Sequence, residues 1–210
     1  MKFSVNLDMR DRRVLVVGGG TVGKRKIAAL IDTGAKIEVV SPEVLPDIEK
    51  WQADGKLIWR KRAFRSEDIR DKEFVFCTTN QREMNQEIAR LARQEKAWVN
   101  VSDCPFEGNL FIPASYQQGN LRLTVSTDGE SPGVARQVRQ KLEEDFGPEW
   151  AEYLELIRRL REEFKEMGTP KEREQFWRKI LQMDFVVMIK EGQIRQVEGK
   201  IRDAARSFRA

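Results

Sequence analysis

The sequence predicts an α/β fold, a doubly wound parallel sheet in the first half of the chain followed by a charged helical region. The first observation is a continuous aliphatic run over residues 14–17, which is typical of a strand buried on both faces. A glycine-rich turn follows it directly, and residues 24–31 then carry apolar side chains at helical spacing. A second aliphatic run, residues 37–40, is expected to end at Ser41 and Pro42. Together these segments form a strand–helix–strand unit.

The alternation of strand and helix continues towards the middle of the chain. Residues 56–59 and 74–77 are predicted strands, residues 83–95 a predicted helix, and residues 98–101 a further strand. Repeated alternation of this kind favours parallel strands joined by helices on both faces of one sheet.

After Pro113 the pattern changes. Residues 121–126 alternate polar and apolar side chains, as a half-exposed antiparallel strand does. Ser131 and Pro132 suit the N-cap and the first position of the next helix. From Pro148 onward two or three amphipathic helices are expected, and their expected core positions are Ile180, Phe185, Ile189, Ile194, Val197 and Ile201.

Composition excludes several classes of protein. Of 210 residues, 40% are hydrophobic and 34% charged, which suits a globular chain. No apolar run reaches the roughly 18–20 residues that cross a bilayer, so no membrane partner is expected. The 38 Lys and Arg against 34 Asp and Glu give a mixed, mildly basic surface, which is not the basic stripe of a nucleic-acid-binding protein. The first residues also lack the apolar core of a secretory signal.

The chain contains no histidine and only two cysteines, Cys77 and Cys104. The absence of histidine excludes a Ser-His-Asp triad and a histidine-based zinc site. Two cysteines cannot form a disulfide framework, which fits a reducing cytoplasm, and their spacing is not that of a metal site. Any chemistry therefore uses carboxylates, thiols, amines, hydroxyls or a bound cofactor.

The glycine turn fits the pattern G-x-G-x-x-G through Gly18, Gly20 and Gly23. In this context the first glycine permits the tight turn, the second lets the backbone approach a pyrophosphate, and the third lets helix and strand pack closely. The expected acidic residue after the second strand is replaced by Ser41, with Glu43 two residues later. Either the Glu43 side chain or the local backbone holds the ribose, or Glu43 is a solvated residue at a helix start. No arginine follows the strand to receive a 2′-phosphate, which favours NAD over NADP.

Asp103 lies just beyond the predicted strand 98–101, at the edge of the sheet where ligands bind in open α/β folds. A carboxylate there can accept a proton, orient a substrate nitrogen or contribute to a metal site. The alternative is an Asx turn or a helix cap. Cys104 and Cys77 are interpreted as packing residues.

Five blocks of the sequence, taken in order, resemble the siroheme synthase family. The blocks are residues 14–26 with 39–42, residues 78–80, residues 99–103, residues 109–114 and residues 126–136. The resemblance implies a precorrin-2 dehydrogenase, which oxidises precorrin-2 to sirohydrochlorin with NAD. Some members of the family also insert ferrous iron as a sirohydrochlorin ferrochelatase, and the sequence leaves open whether this chain does.

The resemblance also implies an organisation into three parts and a homodimer. The parts are a Rossmann-like NAD-binding domain at residues 1–113, a small α+β dimerisation segment at residues 114–147 and a helical C-terminal domain at residues 148–210. On the residues that match, Thr21, Val22, Pro42 and Glu43 align with cofactor contacts. Asp103 aligns with the catalytic aspartate.

The substrate implied by the resemblance carries many carboxylates, so basic side chains are expected to line its cleft. Candidates are Arg136 and Arg139, early in the helix that Ser131 opens, with Lys24 and Arg25 as further ones; for each, a solvated surface position is the alternative. Thr127 lies where some relatives carry a phosphorylatable serine.

A function of another class shares part of this pattern. A non-catalytic NAD-sensing regulatory module has the same glycine turn and strand–helix–strand unit. It leaves the block around Asp103 and the block around Pro132 unexplained. Binding of NAD without any spectral change on adding precorrin-2 favours this alternative.

Overall fold

The computed structural model describes residues 2–209, with side chains as far as residue 206. The chain folds into two compact units, of which the first ends at Ile112 and the second begins at Pro113. The first unit contains β1 (Arg13–Gly19), α1 (Thr21–Leu30), β2 (Lys36–Val44), α2 (Pro46–Ala53), β3 (Ile58–Arg60), β4 (Phe74–Cys77), α3 (Arg82–Gln94) and β5 (Trp98–Val101), with short 3₁₀ turns at Ser66–Ile69 and Pro105–Glu107.

The five strands form one parallel sheet in the order β3-β2-β1-β4-β5. The predicted doubly wound sheet is confirmed. From β1 the chain winds outward through β2 and β3, and then crosses to β4 and β5 on the other side. The strand order therefore reverses between β1 and β4, and ligands of such folds bind in the crevice at this point, beyond the carboxyl ends of the strands.

Both faces of the sheet are covered, because alternate side chains of a strand point to opposite faces. Val14 and Val16 pack in the cluster that includes side chains of α1 and α2. Leu15 and Val17 pack in the opposite cluster with side chains of α3. All four are at most 2% exposed, which explains the continuous aliphatic run in the sequence.

The second strand is longer than predicted. The expectation that Ser41 and Pro42 end it is wrong, because β2 continues to Val44, which pairs with Gly19 after a shift in register. β3 pairs only with residues 38–40 of β2. Pro42 therefore lies where that edge of β2 has no partner strand in the described chain, and such unpaired edges are where strands tolerate proline.

The second unit begins with an antiparallel hairpin, β6 (Ala114–Gln118) and β7 (Leu121–Val125), followed by α4 (Pro132–Asp145). Ser131 caps α4 by accepting a hydrogen bond from the N–H of Val134 at 3.3 Å, as predicted. The remaining helices are α5 (Pro148–Glu163), α6 (Pro170–Leu181), α7 (Phe185–Lys190) and α8 (Ile194–Arg209). The expectation of two or three helices after Pro148 is wrong, because the described chain has four there.

One apolar cluster holds these four helices together. Of the predicted core positions, Ile194 is partly buried and the others are buried: Ile180, Phe185, Ile189, Val197 and Ile201. The break between α5 and α6 follows from a capping box, in which the Thr169 hydroxyl accepts from the N–H of Glu172 and the Glu172 carboxylate accepts from the N–H of Thr169. Within the described residues, no helix is both long enough and apolar enough to span a membrane.

Candidate functional site

A glycine turn joins β1 to α1 at the carboxyl edge of the sheet. Gly18 has a φ of 109°, and a Cβ on it would lie 2.7 Å from the carbonyl oxygen of Thr78. A Cβ on Gly23 would lie 2.2 Å from the carbonyl oxygen of Gly18. The Thr78 hydroxyl donates to the carbonyl oxygen of Val17 at 2.8 Å and ties the turn to the end of β4. Glycine is therefore required at both positions for this approach of α1 to the sheet.

The N-terminus of α1 is uncapped. Among the residues that the structure describes, no side chain accepts a hydrogen bond from its first turn, and that turn contains no acidic residue. The N–H of Lys24 bonds to the carbonyl oxygen of Gly20, so the N–H groups of Thr21, Val22 and Gly23 have no partner within the helix. A Cβ on Gly20 would meet nothing within 4 Å. Free donors, the positive end of the helix and open space at Gly20 fit the pyrophosphate of a dinucleotide.

The end of β2 supports the same turn. The Ser41 hydroxyl is buried, accepts from the N–H of Gly19 at 3.1 Å and donates to the carbonyl oxygen of Glu43 at 2.6 Å. Pro42 and Glu43 are exposed, and among the described residues the Glu43 carboxylate has no hydrogen-bond or ion-pair partner. The interpretation of Glu43 as a helix-start residue is wrong, because it lies within β2 and α2 begins at Pro46. Ser41 is thus structural, and the Glu43 side chain is the group left free.

Asp103 lies exposed in the loop that follows β5, at the carboxyl edge of the sheet. Its Oδ1 accepts a hydrogen bond from Nδ2 of Asn85, at 2.9 Å. No other hydrogen bond to Asp103 occurs in the described chain, so Oδ2 is unoccupied by protein donors. The helix-cap alternative is wrong, because Cys104 occupies the N-cap of the following 3₁₀ turn. The end of β4 separates Asp103 from the glycine turn.

The two cysteines are free. Burial, followed by the negative charges of Asp103 and Glu107, raises the pKa of the Cys77 thiol to about 12. Cys77 is therefore an un-ionised packing residue, and Cys104 is half-buried against the same cluster. In the part of the chain that is described, no three His, Cys, Asp or Glu side chains form a group that could hold a metal ion.

The basic candidates of the first unit differ in their surroundings. Lys24 forms an ion pair with Asp47 of α2, with 3.1 Å between Nζ and Oδ2. Arg25 is exposed, and among the described residues it has no carboxylate partner. Arg25 is therefore the better placed of the two to meet an anionic ligand.

In the second unit, Arg136 and Arg139 both lie on α4. Arg139 pairs with Glu143 at 2.8 Å, whereas Arg136 is exposed and has no carboxylate partner in the described chain. The Thr127 hydroxyl donates to the carbonyl oxygen of Ser131 and accepts from its N–H, so it stabilises the turn before α4.

Sequence reasoning missed Lys26, on the third residue after Gly23 in α1. The Lys26 side chain is half-buried, its Nζ lies 6.0 Å from the centre of the Phe76 ring, and no carboxylate pairs with it among the described residues. Burial, followed by the charge of Arg25, lowers the pKa of Lys26 from 10.5 to about 8. Only the neighbouring Gly23 and Ile27, which turn the same helix face to the sheet, could have indicated this burial.

We expect Lys26→Met to stabilise the protein at neutral pH. The unfolded chain binds the Lys26 proton more tightly than the folded chain between pH 8 and 10.5, so wild-type stability rises with pH through that window. Allowing for solvent screening, the variant should gain about 1–2 kcal/mol in free energy of unfolding at pH 7 and nothing above pH 10.5. Denaturant titrations at both pH values measure this. An equal gain at both pH values, or the same gain in the exposed-lysine control Lys50→Met, would contradict it.

A family model, related sequences and a solved structure all show similarity of this chain to the same group of proteins. A family model for NAD(P)-binding proteins matches residues 5–114. A precorrin-2 dehydrogenase of Priestia megaterium is 31% identical over 171 residues, which cover 81% of this chain and 84% of that protein. A siroheme synthase of Nitrosococcus oceani is 31% identical over 199 residues, 94% of this chain but 42% of the longer protein. The solved structure of SirC, a precorrin-2 dehydrogenase, superimposes with a TM-score of 0.81 at 28% identity, over 96% of this chain and all of that one.

Proposed function

The chain belongs to the family of precorrin-2 dehydrogenases and siroheme synthases, and we propose that it oxidises precorrin-2 to sirohydrochlorin with NAD as oxidant. The observation that carries the proposal is the uncapped N-terminus of α1, with open space at Gly20, on the same edge of the sheet as the Asp103 carboxylate. When bound, NAD accepts a hydride from the macrocycle, and one proton is released as conjugation extends. No histidine is needed for this chemistry.

The chain's part in cofactor binding follows from the turn. The N–H groups of Thr21 and Val22 donate to the pyrophosphate, and Gly20 leaves room for it. Pro42 and Glu43 lie at the end of β2, where the adenosine ribose binds in such folds. The unpaired Glu43 carboxylate accepts from ribose hydroxyls and repels a 2′-phosphate, which supports NAD as the cofactor.

Asp103 is the group that accepts or directs the proton released from the macrocycle. Its Oδ2 is free to accept the proton that leaves the macrocycle, or to hold a pyrrole N–H in place, while Oδ1 is held by Asn85. Arg25 of the first unit, which has no carboxylate partner in the described chain, binds a substrate carboxylate. On the second unit, Arg136 is likewise unpaired in the described chain, whereas Arg139 is already paired with Glu143.

The proposal includes a homodimer and a cytoplasmic location. Residues 114–147 form the dimerisation segment. In its support, β6 and β7 pair only with each other in the described chain, so the outer edge of each strand has no partner strand there. Val134 and Val138 also expose apolar surface on α4, about half of each side chain. Residues 148–210 form the helical domain, and the free thiols of Cys77 and Cys104 are compatible with a reducing compartment.

An anaerobic absorbance assay tests the function. Purified protein with precorrin-2 and NAD should produce the sirohydrochlorin chromophore and NADH in equal amounts. NAD binding without any spectral change would instead support the regulatory module. A second reaction, with sirohydrochlorin and ferrous ion but no NAD, tests metal insertion: siroheme formation above the rate without protein would make the chain a ferrochelatase too, with iron as a substrate.

A further inference from the structure

We propose that Asn85 is the positioning residue for Asp103, an assignment that rests on the proposed function. The evidence is a side-chain amide that links the loop after β5 to the loop after β4. Asn85 is 0% exposed and lies in the first turn of α3. It is the single polar member of the buried α3 stripe, whose other members are Ile88, Ala89 and Ala92.

The orientation of the Asn85 amide is determined by its surroundings. The backbone N–H of Thr79 can only donate, and it lies 3.2 Å from Oδ1 of Asn85. The Thr79 hydroxyl is 2.7 Å from the same oxygen. Because Oδ1 must lie beside the N–H of Thr79, the NH₂ group takes the other position of the amide, from which it donates to the carbonyl oxygen of Thr79 and to Oδ1 of Asp103. All the hydrogen-bonding capacity of the amide is used.

This arrangement determines which oxygen of Asp103 is available. Oδ1 is held at 2.9 Å by a fully buried donor, so the exposed carboxylate has one anchored and one free oxygen. The amide carries no charge, so it orients the carboxylate without neutralising it, which an arginine would do. Asn85 does not reach the substrate or the cofactor in this role; it acts through Asp103.

Other charged groups near Asp103 do not substitute for this contact. Glu107 of the following 3₁₀ turn accepts a hydrogen bond from the side-chain amide of Gln86. The guanidinium of Arg82, in α3, lies 3.8 Å from the Glu107 carboxylate. Cys77 of β4 is un-ionised below about pH 12. In the described chain Asn85 is therefore the one donor to Asp103.

The test is the pH dependence of turnover in Asn85→Asp. When protonated, the new carboxyl can donate to Asp103 as the amide does; when both carboxyls are ionised, they repel each other. When one proton remains on the pair of carboxyls, it is bound more tightly than the proton of a single carboxyl. The pH profile of kcat should therefore gain a fall on the basic side that the wild type lacks. We expect kcat within about fivefold of wild type at low pH and at least ~10-fold below it at high pH. Uniform loss at every pH, or no loss, would overturn the proposal.

Asn85→Ala provides a second readout if Asn85→Asp does not fold. A positioning role predicts a ~10- to 100-fold lower kcat with the Kd for NAD within about twofold of wild type. The matched control is Asn109→Ala, which removes an amide that bonds to Val99 and Ala97 but not to Asp103. It should lower the Tm without changing the pH profile. Unchanged kcat in Asn85→Ala, or equal losses of kcat in both alanine variants, would overturn the positioning role. An inactive wild-type protein would overturn the proposed function itself.

Discussion

Asp103→Asn should reduce kcat for precorrin-2 oxidation by at least ~100-fold, the usual contribution of a proton-transfer group. The substitution keeps the shape of the side chain, and its oxygen can still accept from Asn85, so the loop should hold its conformation. What disappears is the negative charge that accepts or directs the proton. Anaerobic turnover gives kcat, and quenching of tryptophan fluorescence by NAD gives Kd, which should stay within about twofold of wild type.

Glu107→Gln is the matched control for this substitution. Glu107 is the next carboxylate along the same segment, and its negative charge also acts on Cys77. Removing it changes the local charge by the same amount without touching the proposed proton acceptor. Turnover close to wild type in Glu107→Gln and lost in Asp103→Asn would assign the effect to one side chain. Near-normal turnover in Asp103→Asn would remove Asp103 from the mechanism.

Gly20→Ala should weaken NAD binding by at least ~30-fold, about 2 kcal/mol, while the protein remains folded. In the structure a Cβ on Gly20 meets nothing within 4 Å, so the methyl group causes no collision within the protein. It occupies the space through which a pyrophosphate approaches the N-terminus of α1. Calorimetric titration with NAD measures the binding. The loss of the glycine N-cap should cost the folded state less than ~1 kcal/mol.

Two other glycines separate lost binding from lost folding. Gly133→Ala, in α4, also places its Cβ in open space and should leave NAD binding unchanged. Gly23→Ala places a Cβ 2.2 Å from the carbonyl oxygen of Gly18, so it should destabilise the first unit as well as weaken binding. Wild-type affinity in Gly20→Ala would show that the dinucleotide does not pass over this turn.

The elements that the sequence predicts well are those with a strong local pattern. β4 and β5 match their predicted ranges because β4 is an apolar run of four residues and β5 is apolar except at Asn100, and α3 carries an apolar stripe at helical spacing. β6 has no such pattern, because two of its five side chains, Ser115 and Gln117, are exposed and polar, and the sequence does not predict it. The predicted β2 is too short because proline normally stops a strand. Pro42 is tolerated here because β3 pairs with β2 only as far as residue 40, which leaves that edge of β2 unpaired beyond it.

The candidate site likewise has one part with a local sequence pattern and another part without one. The glycine turn is a local motif, so its geometry follows from the order of its residues. The contact between Asn85 and Asp103 joins residues 18 apart in sequence, and it depends on how α3 packs beside β5. The burial of Lys26 likewise depends on Phe76, fifty residues along the chain. Neither contact has a local signal, so both required the folded structure.

A crystal structure of the chain with NAD and sirohydrochlorin is the most direct test of this account. It should place the pyrophosphate within hydrogen-bond distance of the N–H groups of Thr21 and Val22, and the tetrapyrrole against the free Oδ2 of Asp103 with Oδ1 still bonded to Asn85. A tetrapyrrole bound away from the carboxyl edge of the sheet, or an Asp103 carboxylate turned away from it, would contradict the account.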